Sequence, residues 1–153
     1  MGLKAAIEDA ALHALKNQEA GMLSVLRMLR AAIQNREIEK RGKGGEAVLA
    51  EEETAVVLRS EVKKRRDAIA EFEKAGRQDL AEKEGAELAI LDRFVPPELS
   101  DDEVEKIVRA AAEELGAAGP KDTGRVIGEA MKRVKGQASG DRVSSAVRRI
   151  LAA

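Results

Sequence analysis

The chain has no cysteine, tryptophan or tyrosine and one histidine, and Phe72 and Phe94 are its only aromatic side chains. Without cysteine, disulfides, thiolate metal sites and cysteine nucleophiles are excluded. No segment approaches 18 uncharged apolar residues, so no membrane-spanning helix is expected. The first twenty residues carry acids and amides through what would have to be the apolar core of a secretion signal, which predicts a cytoplasmic protein. Gly2 follows Met1, but the N-myristoylation pattern asks for Ser or Thr at position 6, where Ala6 stands. Neither sign of charge dominates. Lys and Arg number 27 against 28 Asp and Glu, so only local clustering can argue for nucleic acid.

What the chain does have is 153 residues that are 44% hydrophobic, drawn almost wholly from Ala, Leu, Val and Ile. Such a palette suits packed helices, where small and unbranched side chains interdigitate. The spacing predicts an all-α protein. Residues 3–17 place Leu3, Ile7, Ala11, Leu12 and Leu15 on one stripe, and residues 20–40 repeat Met22, Leu23, Leu26, Leu29 and Ile33 at threes and fours. Three glycines within residues 42–45 predict a loop there. Helical pattern resumes over 48–74, with Leu58, Val62, Ile69 and Phe72 inward, and again over 78–94, with Leu80, Leu88, Leu91 and Val95 inward. Pro96 and Pro97 end that run. This predicts an N-terminal domain of about four long helices, 1–96, and a small three-helix domain, 97–153.

In the second part, Ser100 and Glu103 form a capping-box signature ahead of Val104, Ile107, Val108 and Ala111. Short helices over 122–134 and 141–151 follow, joined by the turn Lys135 to Gly140. Three helices in so few residues barely make a core unaided, so docking on the N-terminal part or on a partner is expected.

Catalytic chemistry finds little support. His13 has neither cysteine nor a second histidine with which to hold a metal and reads as a surface residue. Ser144 and Ser145 read as a polar helix face, and no pair of carboxylates is marked by its spacing as a general acid and base. The glycine-containing stretches 42–45 and 119–124 do not fit the phosphate-loop pattern and follow no strand. No catalytic residue, metal ligand or cofactor is assigned.

Charge distribution carries more. Over residues 98–117 seven acids face two bases, whereas from Ala118 onward eight cations face only Asp122, Glu129 and Asp141. Those eight are Lys121, Arg125, Lys132, Arg133, Lys135, Arg142, Arg148 and Arg149. With the backbone N–H groups of the Gly136 to Gly140 turn at a helix N-terminus, they are candidate contacts for phosphates. A solvated basic face balanced by the acidic helix before it is the competing reading. Single-stranded RNA is read by stacking on aromatics, which this region lacks, so an RNA contact should be to backbone and shape. The run Lys63 to Arg66 passes round its helix between Glu61 and Asp67 and reads as solvated surface.

Several ordered stretches carry a resemblance: LSVLRML at 23–29, EVKKRRD at 61–67, FEKAGR at 72–77, FVPPELS at 94–100, DTGRVIG at 122–128 and KGQASG at 135–140. Together they resemble the GatB/YqeY family, which comprises free-standing YqeY-like proteins and the C-terminal region of the B subunit of the glutamine-dependent tRNA amidotransferase. The resemblance implies a helical domain followed by a compact tail domain that, in the amidotransferase, helps hold the tRNA body. It carries a family-level label of carbon–nitrogen ligase with glutamine as amide donor, which is not expected of this chain alone. Gln137 stands where that tail often has a base, and Ser139 where it often has an acid. The expected function is therefore a non-catalytic tRNA-binding or amidotransferase-related accessory protein. The alternative is a helical module that docks a protein, a second copy included, on its long N-terminal helices. Oligomeric state is open.

Overall fold

The computed structural model describes residues 2–152, which form seven α-helices and one 3-10 turn, with no strand among them. They divide into two compact units, Met1–Val95 and Pro96–Ala153. The first contains α1 (Leu3–Lys16), α2 (Ala20–Gly42), α3 (Glu51–Lys74) and α4 (Gln78–Asp92). In the second are α5 (Asp101–Glu114), the 3-10 turn Pro120–Asp122, α6 (Thr123–Val134) and α7 (Gly140–Ala152).

The first core joins Leu3, Ile7 and Ala11 of α1 to Val25, Leu26, Leu29 and Ile33 of α2, Leu58 and Val62 of α3, and Leu91 of α4. On α1 the observed stripe differs from the expected one. Ala14 is buried, while Leu12 and Leu15 are 56% and 53% exposed. Positions 3, 7, 11 and 14 follow the helical period. Gly42 also departs from expectation: α2 runs through it, and the left-handed turn comes two residues later at Gly44, whose φ is 80°. Val48 to Ala50 precede α3, and the Glu53 carboxylate accepts the Ala50 N–H at 2.8 Å, satisfying a donor at the helix start. α4 ends at Asp92, two residues before Phe94.

Polar side chains tie these helices at one end. Lys4 of α1 meets Glu37 of α2 at 2.7 Å, Lys40 of α2 meets Glu53 of α3 at 2.6 Å, and Glu37 also accepts the Leu49 N–H. Elsewhere, the run 63–66 departs from its reading as solvated surface at one position. Lys63, Lys64 and Arg66 are exposed, but the Arg65 side chain is only 7% exposed. It lies 3.3 Å from Glu61 on its own helix and 3.5 Å from Glu87 on α4, with Met28 Sδ 4.0 Å from Nη2. A buried guanidinium persists only when paired, and α4 supplies the second carboxylate.

The second core is built of Val104, Val108, Val126, Val134, Val143 and Val147, with Ala111, Ala112, Ala130, Ala138 and Ala146, closed by Leu151. The capping box at α5 forms as expected: Ser100 Oγ accepts the Glu103 N–H at 3.2 Å, and Glu103 accepts the Ser100 N–H at 2.7 Å.

Replacing Arg65 by Ala is expected to destabilise the protein by about 2 kcal/mol in urea unfolding. That is less than the roughly 3–5 kcal/mol of a fully buried pair, because Glu61 and Glu87 keep some water. Adding Glu87→Gln to Arg65→Ala should recover part of the loss. A second expectation concerns pH. The hydrogen bond from Lys4, with that from the Leu49 backbone, holds the Glu37 carboxyl below the ordinary glutamate range. A depressed folded-state pKa contributes stability above the unfolded value of about 4.3, and that stability is lost as pH falls through the folded value. Urea unfolding across pH 3–7 should therefore show a flatter acid limb for Glu37→Gln than for the parent.

Candidate nucleic-acid interface

α6 and α7 bury Val126, Ala130, Val134, Val143, Ala146, Val147 and Leu151 and turn their charged residues outward. The eight cations of these helices and of the turns before and between them separate into two groups. Arg125 bonds to Asp122 at 3.0 Å and to the Leu115 carbonyl at 3.2 Å. Arg133 is held between Glu114 of α5 and Glu129 of its own helix, which raises its pKa above the ordinary arginine value, Glu114 contributing most. Arg149 reaches Glu105 at 3.8 Å, a long and exposed pair. Glu105 itself is held below the usual glutamate range chiefly by its hydrogen bond from Arg109.

Arg142 is the most committed. It donates to Asp101 Oδ1 at 2.7 and 3.2 Å, to Glu98 at 3.2 Å and to the Leu99 carbonyl at 2.7 Å. The arginine expected to face a phosphate beside Lys135 instead fastens α7 to the start of α5. Four cations are left: Lys121, Lys132, Lys135 and Arg148 are exposed, and their side chains make no ion pair or hydrogen bond among the described residues.

The turn between α6 and α7 is firmly placed. Gln137 accepts the Leu99 N–H at 2.8 Å and donates its own N–H to Val134 at 2.9 Å, and Ala138 is buried. Ser139 Oγ accepts the Arg142 N–H at 3.3 Å, so one donor of the α7 N-terminus is already used, and Asp141 stands in its first turn. Lys135 caps α6 in the left-handed region at φ 49°, followed by Gly136 at φ 73°. Gly140 opens α7 with no heavy atom within 4 Å of the position a Cβ would take.

Outside this region the residues considered for chemistry stay ordinary. His13 bonds with Asn17 at 3.0 and 3.1 Å on the surface. No cluster of His, Cys, Asp or Glu that could hold a metal occurs among the described residues, and no described helix is long and apolar enough to cross a membrane. Sequence reasoning missed Arg27 and Arg30, which line a groove of about 380 Å³ between α1 and α2. Two arginines one helical turn apart with no acid at matching spacing were the available signal.

Two helical units, the first enclosing one paired arginine and the second presenting four unpaired cations on its surface, describe the class of protein. A family model for Yqey-like proteins matches residues 4–151, and the chain belongs to that family. It is 33% identical over 99 residues to an uncharacterized protein of Schizosaccharomyces pombe, covering 65% of this chain and 76% of that one. It is 26% identical over 144 residues to the mitochondrial protein "Altered inheritance of mitochondria protein 41" of Pyrenophora tritici-repentis, covering 92% of this chain and 76% of the relative.

Arg142→Ala is expected to lower stability by about 1–3 kcal/mol in chemical denaturation, since it strips acceptors of charge-assisted hydrogen bonds. Lys132→Ala, exposed and unpaired, should stay within about 0.5 kcal/mol of the parent.

Proposed function

We propose that the chain is a non-catalytic accessory protein of the cytoplasm. It binds tRNA through backbone phosphates, using Lys121, Lys132, Lys135 and Arg148. The observation that carries this reading is Lys135. A non-glycine residue in the left-handed region costs about 1–2 kcal/mol, a conformation that Gly or Asn adopts more readily. A lysine held there at φ 49° keeps a strained backbone and an unpaired charge on a turn anchored by Gln137 and Ala138. Helices commonly end on a left-handed residue, usually Gly or Asn, and the choice of an unpaired lysine at this one is what supports a binding role. The lack of aromatics in this unit supports contact with phosphates rather than bases. Resemblance to the tail of the amidotransferase B subunit supports tRNA as the nucleic acid, and glutamine-dependent amide transfer by the purified chain alone would overturn the non-catalytic part.

A second reading, a protein-docking module, is favoured by Leu12 and Leu15, exposed one turn apart on α1. Light scattering, and capture of a partner that resists nuclease, would support it.

Filter binding of bulk tRNA across a salt series tests the RNA reading. Four phosphate contacts should give a log–log slope of about −3. Lys135→Gly should weaken binding several-fold for all tRNAs alike while leaving the thermal midpoint unchanged or raised. Absence of binding at low salt overturns the proposal.

A further inference from the structure

The groove between α1 and α2 is walled by Lys4 and Glu8 on one side and by Arg27, Arg30, Gln34 and Glu37 on the other. Ile7 and Ile33, 0% and 2% exposed, lie beneath it. Within the groove Lys4 is neutralised by Glu37 at 2.7 Å. Arg27 and Arg30 have no hydrogen bond or ion pair among the described residues. Positions 27, 30 and 34 lie on one helix face, so two guanidiniums and the Gln34 amide converge on one space.

Other grooves differ. In the one between α5 and α7, Arg142 and Arg149 are engaged by Glu98, Asp101 and Glu105. In the one beside the 43–45 turn, Arg36 and Lys40 are paired with Glu39 and Glu53, which leaves the single side chain of Lys43 unengaged among the described residues.

We infer that the α1–α2 groove binds the phosphate group of a small phosphomonoester, with Arg27 and Arg30 as the charge partners and Gln34 as a further donor. The reasoning is one of charge and shape. Two neighbouring guanidiniums repel in the free protein, and a phosphomonoester dianion neutralises both, whereas a carboxylate or a backbone phosphodiester brings a single charge. Arginine forks match phosphate oxygens through paired hydrogen bonds. Glu8, unpaired on the facing wall, repels anions that extend toward α1 and so favours a compact phosphate over a polyanion. With no aromatic side chain in the groove, the ligand is held by its phosphate and not by stacking of a base.

Calorimetric titration of the full chain with inorganic phosphate at constant ionic strength tests this. The expected result is saturable binding at one site, weakened at least tenfold by Arg27→Ala or Arg30→Ala and tightened several-fold by Glu8→Gln. Arg36→Ala, a charge removed elsewhere on α2, should bind as the parent does. Thermal midpoints of Arg27→Ala and Arg30→Ala should be unchanged or higher, since each removes one of two repelling charges. Dimethyl phosphate, and bulk tRNA from which the 5′-phosphate has been removed, should fail to displace phosphate.

Absence of saturable binding, or equal weakening by Arg36→Ala, overturns the site, as does a loss of binding matched by a lower midpoint. Displacement by tRNA stripped of its 5′-phosphate, together with weaker binding of that tRNA by Arg27→Ala, overturns the phosphomonoester assignment in favour of an RNA backbone contact. The tRNA reading through the second unit stands or falls separately, on Lys135.

Discussion

The fork of Arg142 is the contact on which the second unit's surface depends. By bridging Asp101, Glu98 and the Leu99 carbonyl, it brings α7 onto the start of α5, the point that Ser100 and Glu103 cap. The same contact absorbs acids that would otherwise face solvent. With Arg133 on Glu114 and Arg149 near Glu105, half of the carboxylates of α5 hold arginines of the two helices that follow. A surface that began as a mixture of signs is thus sorted: most arginines serve cohesion, and the three lysines with Arg148 are left outward. Lysine suits that remainder, because its compact ammonium on a flexible stem tracks a phosphate backbone without demanding one geometry.

In the first unit cohesion comes from larger side chains and a few enclosed ions. Leu26, Leu29, Ile33 and Leu58 are almost fully buried, and Arg65 sits near them between two glutamates. Arg65 is charged and inside; Leu12 and Leu15 are apolar and outside. Both inversions mark where packing geometry overrode hydropathy. At Arg65 the cost of burial is offset by Glu61 and by Glu87 from the neighbouring helix.

These cases show what was legible in the sequence and what was not. Periodicity located all seven helices, because the 3.6-residue repeat is written locally, and Ser100 with Glu103 marked its helix start correctly because a capping box spans only four residues. The basic surplus after Ala118 was also countable. Its pairing was not, since Arg142 and Asp101 are 41 residues apart in the chain and Arg133 and Glu114 are 19 apart. Arg65 was hidden within a run of four cations whose other members are all exposed. The left-handed Lys135 could not be read either, because backbone conformation at one residue is set by how the next helix docks.

The makeup of the second core has a consequence for how this chain tolerates change. Valine and alanine have no flexible ends with which to fill or yield, so the core offers little give to an added methylene. Exchanging a valine for a smaller residue leaves a void of a methyl group or two. Enlarging Ala111, Ala130 or Ala146 instead pries two helix axes apart and shifts every contact along them. Drift in this unit is therefore constrained most tightly at its least conspicuous residues, and the alanines set how closely its helices can approach.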